Sequence, residues 1–266
     1  MFRDHRWTLP VIRHAADRGL LGLPVTVVTL DRHEDSLEPD RGALGGVYGA
    51  TCGFAELVDV VMHVLSPRDD DWIPAGMELG IIGDVVQFST GRMETSVPDS
   101  VWRYTDFHGE DHRVYRLGMV RSALSHGGGL AASTGQFSSI RETIGFDAAS
   151  RTFAPSATGL VLDIDLDFFT VEWDTVLFPF SEEVVRHEFD GLCQSPWYDS
   201  YTAAAFLRGL AEAAAVVTVA SEPRYCGGVE NTKRILRIAD AEIFGGFIPL
   251  DKWRVDYDSV YPSEET

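Results

Sequence analysis

Cysteine, cationic side chains and long apolar runs are all scarce in this chain. Its three cysteines, Cys52, Cys193 and Cys226, show no paired spacing, which speaks against both a disulfide framework and a cysteine-rich zinc site. No apolar run is long enough to span a bilayer, and the N-terminal residues lead into no signal-type apolar region. The expectation is therefore a cytoplasmic, reducing location with no membrane partner. Lys and Arg total 22 against 41 Asp and Glu, a formal net charge of −19. That balance disfavours nucleic acid, whose phosphates are bound mostly by Lys and Arg. It suits a cationic substrate or peptide.

What is present reads as one α/β domain over residues 1–266. Apolar residues make up 45% and aromatic residues 11%, so a packed core is expected. Residues 7–21 place Leu9, Ile12, Ala16 and Leu20 at helical spacing, and residues 24–30 are an apolar, β-branched strand. A Gly-rich stretch follows through Gly42, Gly45, Gly46, Gly49 and Gly53, without the ending of a phosphate loop. A helix over 54–65 precedes an acidic loop at 66–71. Residues 84–118 read as irregular strands or an inserted hairpin, with turns at Pro98-Asp99 and His108-Gly109. Residues 125–139 read as a loop, and an aromatic-rich stretch runs on to Trp197-Tyr198. A helix over 201–215 then feeds a strand at 216–220, and a last helix spans 230–240 with Ile235 and Ile238 inward. Strands alternating with helices predict a three-layer α/β/α sandwich on a mostly parallel sheet. Ligands of such sheets gather beyond the carboxyl ends of the strands.

Three polar clusters follow apolar strands at that end. The first, Asp31, His33 and Asp35, shares one face if the strand continues. The second is the run 159–169, in which Asp163, Asp165 and Asp167 alternate with Ile164, Leu166 and Phe168. The third is Glu222. Stacked carboxylates in an apolar run need a compensating cation. Carboxylates joined by an imidazole suit Mn, Fe, Co, Ni or Zn, and some five ligands suit two ions better than one tetrahedral zinc.

The motif Thr29-Leu30-Asp31-Arg32-His33-Glu34-Asp35 resembles the Asp-x-His-x-Asp motif of the arginase/deacetylase superfamily. The run Leu162-Asp163-Ile164-Asp165-Leu166-Asp167-Phe168-Phe169 resembles its later Asp-x-Asp motif. Together with Asp4-His5 ahead of Leu9-Pro10, the match is closest to an arginase-like branch that includes peptide arginases. The resemblance implies an arginase-like fold and two Mn2+ ions held by His5, Asp31, His33, Asp35, Asp165 and Asp167. Asp163, one pleat further into the strand, is expected to have a supporting hydrogen-bond role, with Asp163 and Asp165 as the alternative pair. The resemblance implies that Glu222 receives a guanidinium, and that a hydroxide bridging the two ions, at the site of Asp31 and His33, converts peptidyl-arginine to peptidyl-ornithine and urea. The motif that binds the α-amino and α-carboxylate groups of free arginine is not recognisable, which favours an arginine-containing peptide as partner. No histidine matches the family's proton shuttle, so His63, His108, His112 and His126 are the candidates. Competing readings are a metal-dependent deacetylase on the same fold, an aspartate-nucleophile phosphatase, and a non-catalytic metal-stabilised peptide-binding protein.

Overall fold

The β-branched runs of the sequence become strands wherever they can be covered on both faces. In chain order the strands are β1 (Val25–Leu30), β2 (Ile82–Phe88), β3 (Val101–Thr105), β4 (Asp111–Leu117), β5 (Phe146–Asp147), β6 (Thr152–Phe153), β7 (Leu160–Asp165), β8 (Thr170–Trp173), β9 (Val176–Pro179) and β10 (Val216–Ala220). The computed structural model describes residues 1–45, 52–66, 70–90, 101–125, 136–154, 159–173, 176–190 and 202–247. The main sheet has the order β10-β7-β1-β2-β4-β3, with β5–β6 and β8–β9 as separate two-stranded ribbons. All its neighbours are parallel except β3, which runs antiparallel to β4.

Helices cover both faces. The helices α1 (Thr8–Asp17), α2 (Arg41–Leu44), α3 (Phe54–His63) and α4 (Trp72–Glu78) bury Leu9, Ile12, Leu44, Leu57, Val60 and Trp72 against Val27, Val85 and Val161. The opposite face meets α5 (Val120–Ser125), α6 (Gln136–Ile144), α7 (Glu182–Asp190), α8 (Ala203–Ala213) and α9 (Val229–Ala239). There Val28, Leu30, Val86, Leu162 and Ile164 pack on Leu124, Ile140, Phe206 and Ile235. Successive strand residues thus alternate between two apolar layers, the pattern of a doubly covered parallel sheet. The three-layer α/β/α sandwich expected from sequence is the observed fold.

Several elements differ from the sequence expectation. Helix α1 ends at Asp17, and Gly19 turns the chain with φ +70°, so Leu20 lies beyond the helix and is exposed. Within residues 84–118 the expected hairpin is present, but it and β2 belong to the main sheet and are not an insertion. Strand β2 is central, and the β3–β4 hairpin turns near Gly109 and supplies the sheet edge. Trp72-Ile73-Pro74 opens α4, where proline is tolerated because the first turn leaves its N–H groups unpaired. Residues 136–139 belong to α6 and not to a loop. Gly46, Gly49, residues 67–69, Pro98-Asp99, residues 126–135 and Trp197-Tyr198 lie outside the described residues. Among the described residues no helix is long and apolar enough to cross a membrane.

Candidate metal centre

The three polar clusters meet at the carboxyl ends of β1, β7 and β10, which are neighbours in the sheet. They are joined by the N-terminal segment. Phe2 adds to the end of β10, donating its N–H to Val219 and accepting from Ser221, and Arg3 accepts from the N–H of Glu222. This tether delivers His5 into the site on a short 3-10 turn, His5–Trp7, just ahead of α1, with 1% of its surface exposed.

Around His5 Nδ1 stand Asp35 Oδ2 at 3.2 Å, Asp31 Oδ2 at 3.3 Å and Asp165 Oδ2 at 3.4 Å. Its other nitrogen, Nε2, pairs closely with Asp163 Oδ2. His33 Nδ1 lies 2.8 Å from Asp167 Oδ2 and 4.0 Å from Asp31 Oδ1. Glu222 Oε1 accepts from the His5 backbone N–H at 3.4 Å. Three groups of candidate donors result, each with its ligand atoms within 4.8 Å of one another. They are His5 with Asp31 and Asp35, His5 with Asp165 and Glu222, and Asp31 with His33 and Asp167.

The local backbone explains this convergence, and strand alternation does not. Strand β1 stops at Leu30, so Asp31, His33 and Asp35 sit on a loop, and Asp35 takes the left-handed conformation with φ +44°. Gln87 Nε2 and Ser89 Oγ donate to the carbonyls of His33 and Arg32 and hold that loop against β2. Strand β7 likewise stops at Asp165, and Leu166–Phe169 form a 3-10 turn capped by the Asp165 side chain, which accepts from the Asp167 N–H. Asp167 therefore reaches the His33 side by a change of backbone direction, and the expected single face for 163, 165 and 167 does not extend past 165.

Burial makes the charges strongly interdependent. Desolvation, followed by the Asp35 charge, pushes the Asp31 carboxyl well above the usual range. Desolvation with the charges of Asp167 and Glu222 does the same to Asp165. Burial alone would lower His5, but the Asp163 charge and hydrogen bonds to Asp163, Asp31 and Asp35 outweigh it and raise the imidazole well above its ordinary value. Asp35 moves down: the His5 hydrogen bond and charge overcome its desolvation. His33 is raised by Asp167 against its own burial.

These residues fit a divalent metal. Asp31, Asp35, Asp163, Asp165, Asp167 and Glu222 are all buried, and the imidazoles facing them are His5 and His33. Asp31 Oδ2 and Asp167 Oδ2 are buried and meet no hydroxyl or backbone donor; each faces an imidazole nitrogen, His5 Nδ1 at 3.3 Å and His33 Nδ1 at 2.8 Å. A buried carboxylate oxygen is costly unless a cation meets it. The mixture of carboxylate and imidazole is a donor set for a hard or borderline ion.

A cavity of about 360 Å³ opens beside the centre, lined by His33, Glu34, Asp35, Ser36, Leu37, Asp70 and Tyr225. The His33 side chain is 43% exposed there and meets the Tyr225 ring edge-on at 5.2 Å. Arg116 braces the wall through Glu34 and Ser36. None of the described shuttle candidates is here. His63 is exposed at the end of α3, and His108 and His112 line a different cavity with Pro24, Val25 and Gly83, at the amino ends of the strands. His126 is outside the described residues. The sequence also gave no warning of Trp72, whose Nε1 donates to Asp35 Oδ2 and whose ring lies 4.8 Å from that of His5. Tyr225 was equally unmarked; its one signal is its place three residues after Glu222.

Compared with known protein families and with curated proteins, the chain has no match. The class that fold and site define is an α/β/α protein with buried His/Asp groups close enough to bind a metal ion.

Proposed function

We propose that this protein is a binuclear metal hydrolase of the arginase-like kind, with two Mn2+ ions, acting on arginine within a peptide. The observation that carries the reading is the double membership of Asp31, which groups with His5 and Asp35 on one side and with His33 and Asp167 on the other. A shared carboxylate between two imidazole-bearing clusters is what a two-ion centre requires. His5, Asp31, Asp35 and Asp165 would hold one ion, and Asp31, His33 and Asp167 the other. Such a pair supplies Lewis acidity and brings the pKa of water towards neutral.

The remaining groups bind and orient. Glu222, set by the His5 N–H, offers a carboxylate to a planar guanidinium through paired hydrogen bonds. Trp72 keeps Asp35 and His5 in place and helps exclude water from the buried side. The cavity beside His33 is the route by which a side chain reaches the centre. The overall change is addition of water to the guanidinium carbon, cleavage of its bond to the side-chain nitrogen, and proton transfer to that leaving amine, giving urea and ornithine.

The test is to incubate Mn2+-loaded protein with an arginine-containing peptide and follow urea release and the CH2N2 mass loss. The wild type should convert the peptide and Asp31→Asn should give no detectable urea; an Asp31→Asn variant with full activity would sink the two-ion assignment. A second reading, amide hydrolysis of an acyl-lysine, is favoured by Tyr225, because a phenol beside the centre can polarise an amide carbonyl. Release of acetate from an acetyl-lysine peptide, without urea from the arginine peptide, would select it.

A further inference from the structure

We infer that Asp163 is the positioning residue of the metal centre, fixing the His5 imidazole with Nε2 protonated and Nδ1 turned to the cation. The inference rests on the reading of His5 as a metal ligand and adds to it the group that orients it. Asp163 has no exposed surface, and four side chains meet its carboxylate. Thr8 Oγ1 donates to Oδ1 at 3.0 Å, Thr218 Oγ1 to Oδ1 at 2.5 Å, and Thr29 Oγ1 to Oδ2 at 3.0 Å, while His5 Nε2 pairs with Oδ2.

Sheet register builds this cradle. Thr29 and Thr218 are the direct partners of Asp163 on the two flanking strands, so three side chains stand in one row across β1, β7 and β10. Thr8 closes the row from above; it opens α1 three residues after His5. An ionised carboxylate can only accept hydrogen bonds, and it offers about four lone-pair sites. Four donors therefore fill it. The three hydroxyls must donate, and the imidazole must present N–H at Nε2. Nδ1 is then the nitrogen left facing Asp31, Asp35 and Asp165, and the one that gives up its proton when a cation binds. The same saturation separates Asp163 from the ligands: it belongs to none of the three candidate donor groups, whereas Asp31 Oδ2 and Asp167 Oδ2 each meet an imidazole nitrogen and no hydroxyl or backbone donor. Partners of this kind fix the tautomer of a metal-bound histidine and raise its basicity.

The experiment is a calorimetric Mn2+ titration of metal-free protein, wild type against Asp163→Asn, together with 15N spectra of the Zn2+-loaded wild type. Asp163→Asn should weaken the tighter binding step about 10–100-fold, and the His5 resonances should show a protonated Nε2 with Zn2+ at Nδ1. Thr218→Val should weaken the same step and Thr218→Ser restore it, a comparison that stands even if Asp163→Asn does not fold. Wild-type affinity in both Asp163→Asn and Thr218→Val, or Zn2+ bound through Nε2, would overturn the positioning role. A wild type that binds no Mn2+ overturns instead the metal reading beneath it.

Discussion

Aspartates two residues apart in one motif end in three different chemical situations. Asp163 is saturated by donors, Asp165 carries a raised pKa among its own kind, and Asp167 turns Oδ2 to the His33 imidazole at 2.8 Å. The letter Asp specifies a carboxylate; its role follows from who surrounds it. Glu222 shows the same dependence. It is buried, strained at φ +29°, and aimed by the His5 N–H. Charge-assisted hydrogen bonds are worth ~1.5–3 kcal/mol. Glu222→Gln should therefore raise KM for an arginine peptide by about 10–100-fold while Mn2+ content stays at the wild-type level. Steady-state kinetics beside metal analysis checks this, and an unchanged KM would remove Glu222 from substrate binding.

At the scale of elements, what mattered was where strands stop. Strands β1 and β7 were legible as apolar β-branched runs, but their ends were not, because alternation carries no signal for a 3-10 turn or a left-handed residue. The helix on the other face offers a test of burial. Glu188 of α7 is 5% exposed and caps α5, accepting from the Arg121 N–H at 2.9 Å. Burial raises its pKa to about 7 despite the Arg121 contacts, whereas an unfolded chain titrates near ~4.3. Between those values the folded state holds a proton that the unfolded state has lost, so this residue's contribution falls as pH rises from about 4.3 to 7 and is flat above. Glu188→Gln, which cannot ionise, should match the wild type near pH 4 and exceed its stability above pH 7 by on the order of 3 kcal/mol. Urea denaturation at the two pH values measures it, and equal stability at high pH would contradict the assignment.

For the molecule as a whole, the site is a concentration of negative charge inside a chain that is already at −19. Six buried carboxylates at the ends of three adjacent strands oppose folding unless cations or protons offset them. Mn2+ should therefore raise the melting temperature and a chelator lower it. Binding to the native state at 100 times Kd is worth about 2.7 kcal/mol. Scanning calorimetry with and without chelator tests this, and a melting temperature indifferent to Mn2+ would count against any resident divalent ion.

The sequence by itself determined the layered α/β architecture, because period-two and period-3.6 apolar patterns are local properties of the chain. It also marked Asp31, His33, Asp35, Asp165, Asp167 and Glu222, since carboxylates placed directly after buried strands have few structural uses. His5 was reachable only through resemblance to a family motif; nothing local distinguishes it from any other N-terminal histidine. Only the tertiary structure decided that Phe2 joins β10 and carries His5 inward, that Trp72 and Tyr225 flank the centre, and that Thr29, Asp163 and Thr218 form one row. Those facts depend on strand order and register. Both are set by contacts between segments as much as 217 residues apart, as between His5 and Glu222, and no local pattern encodes them.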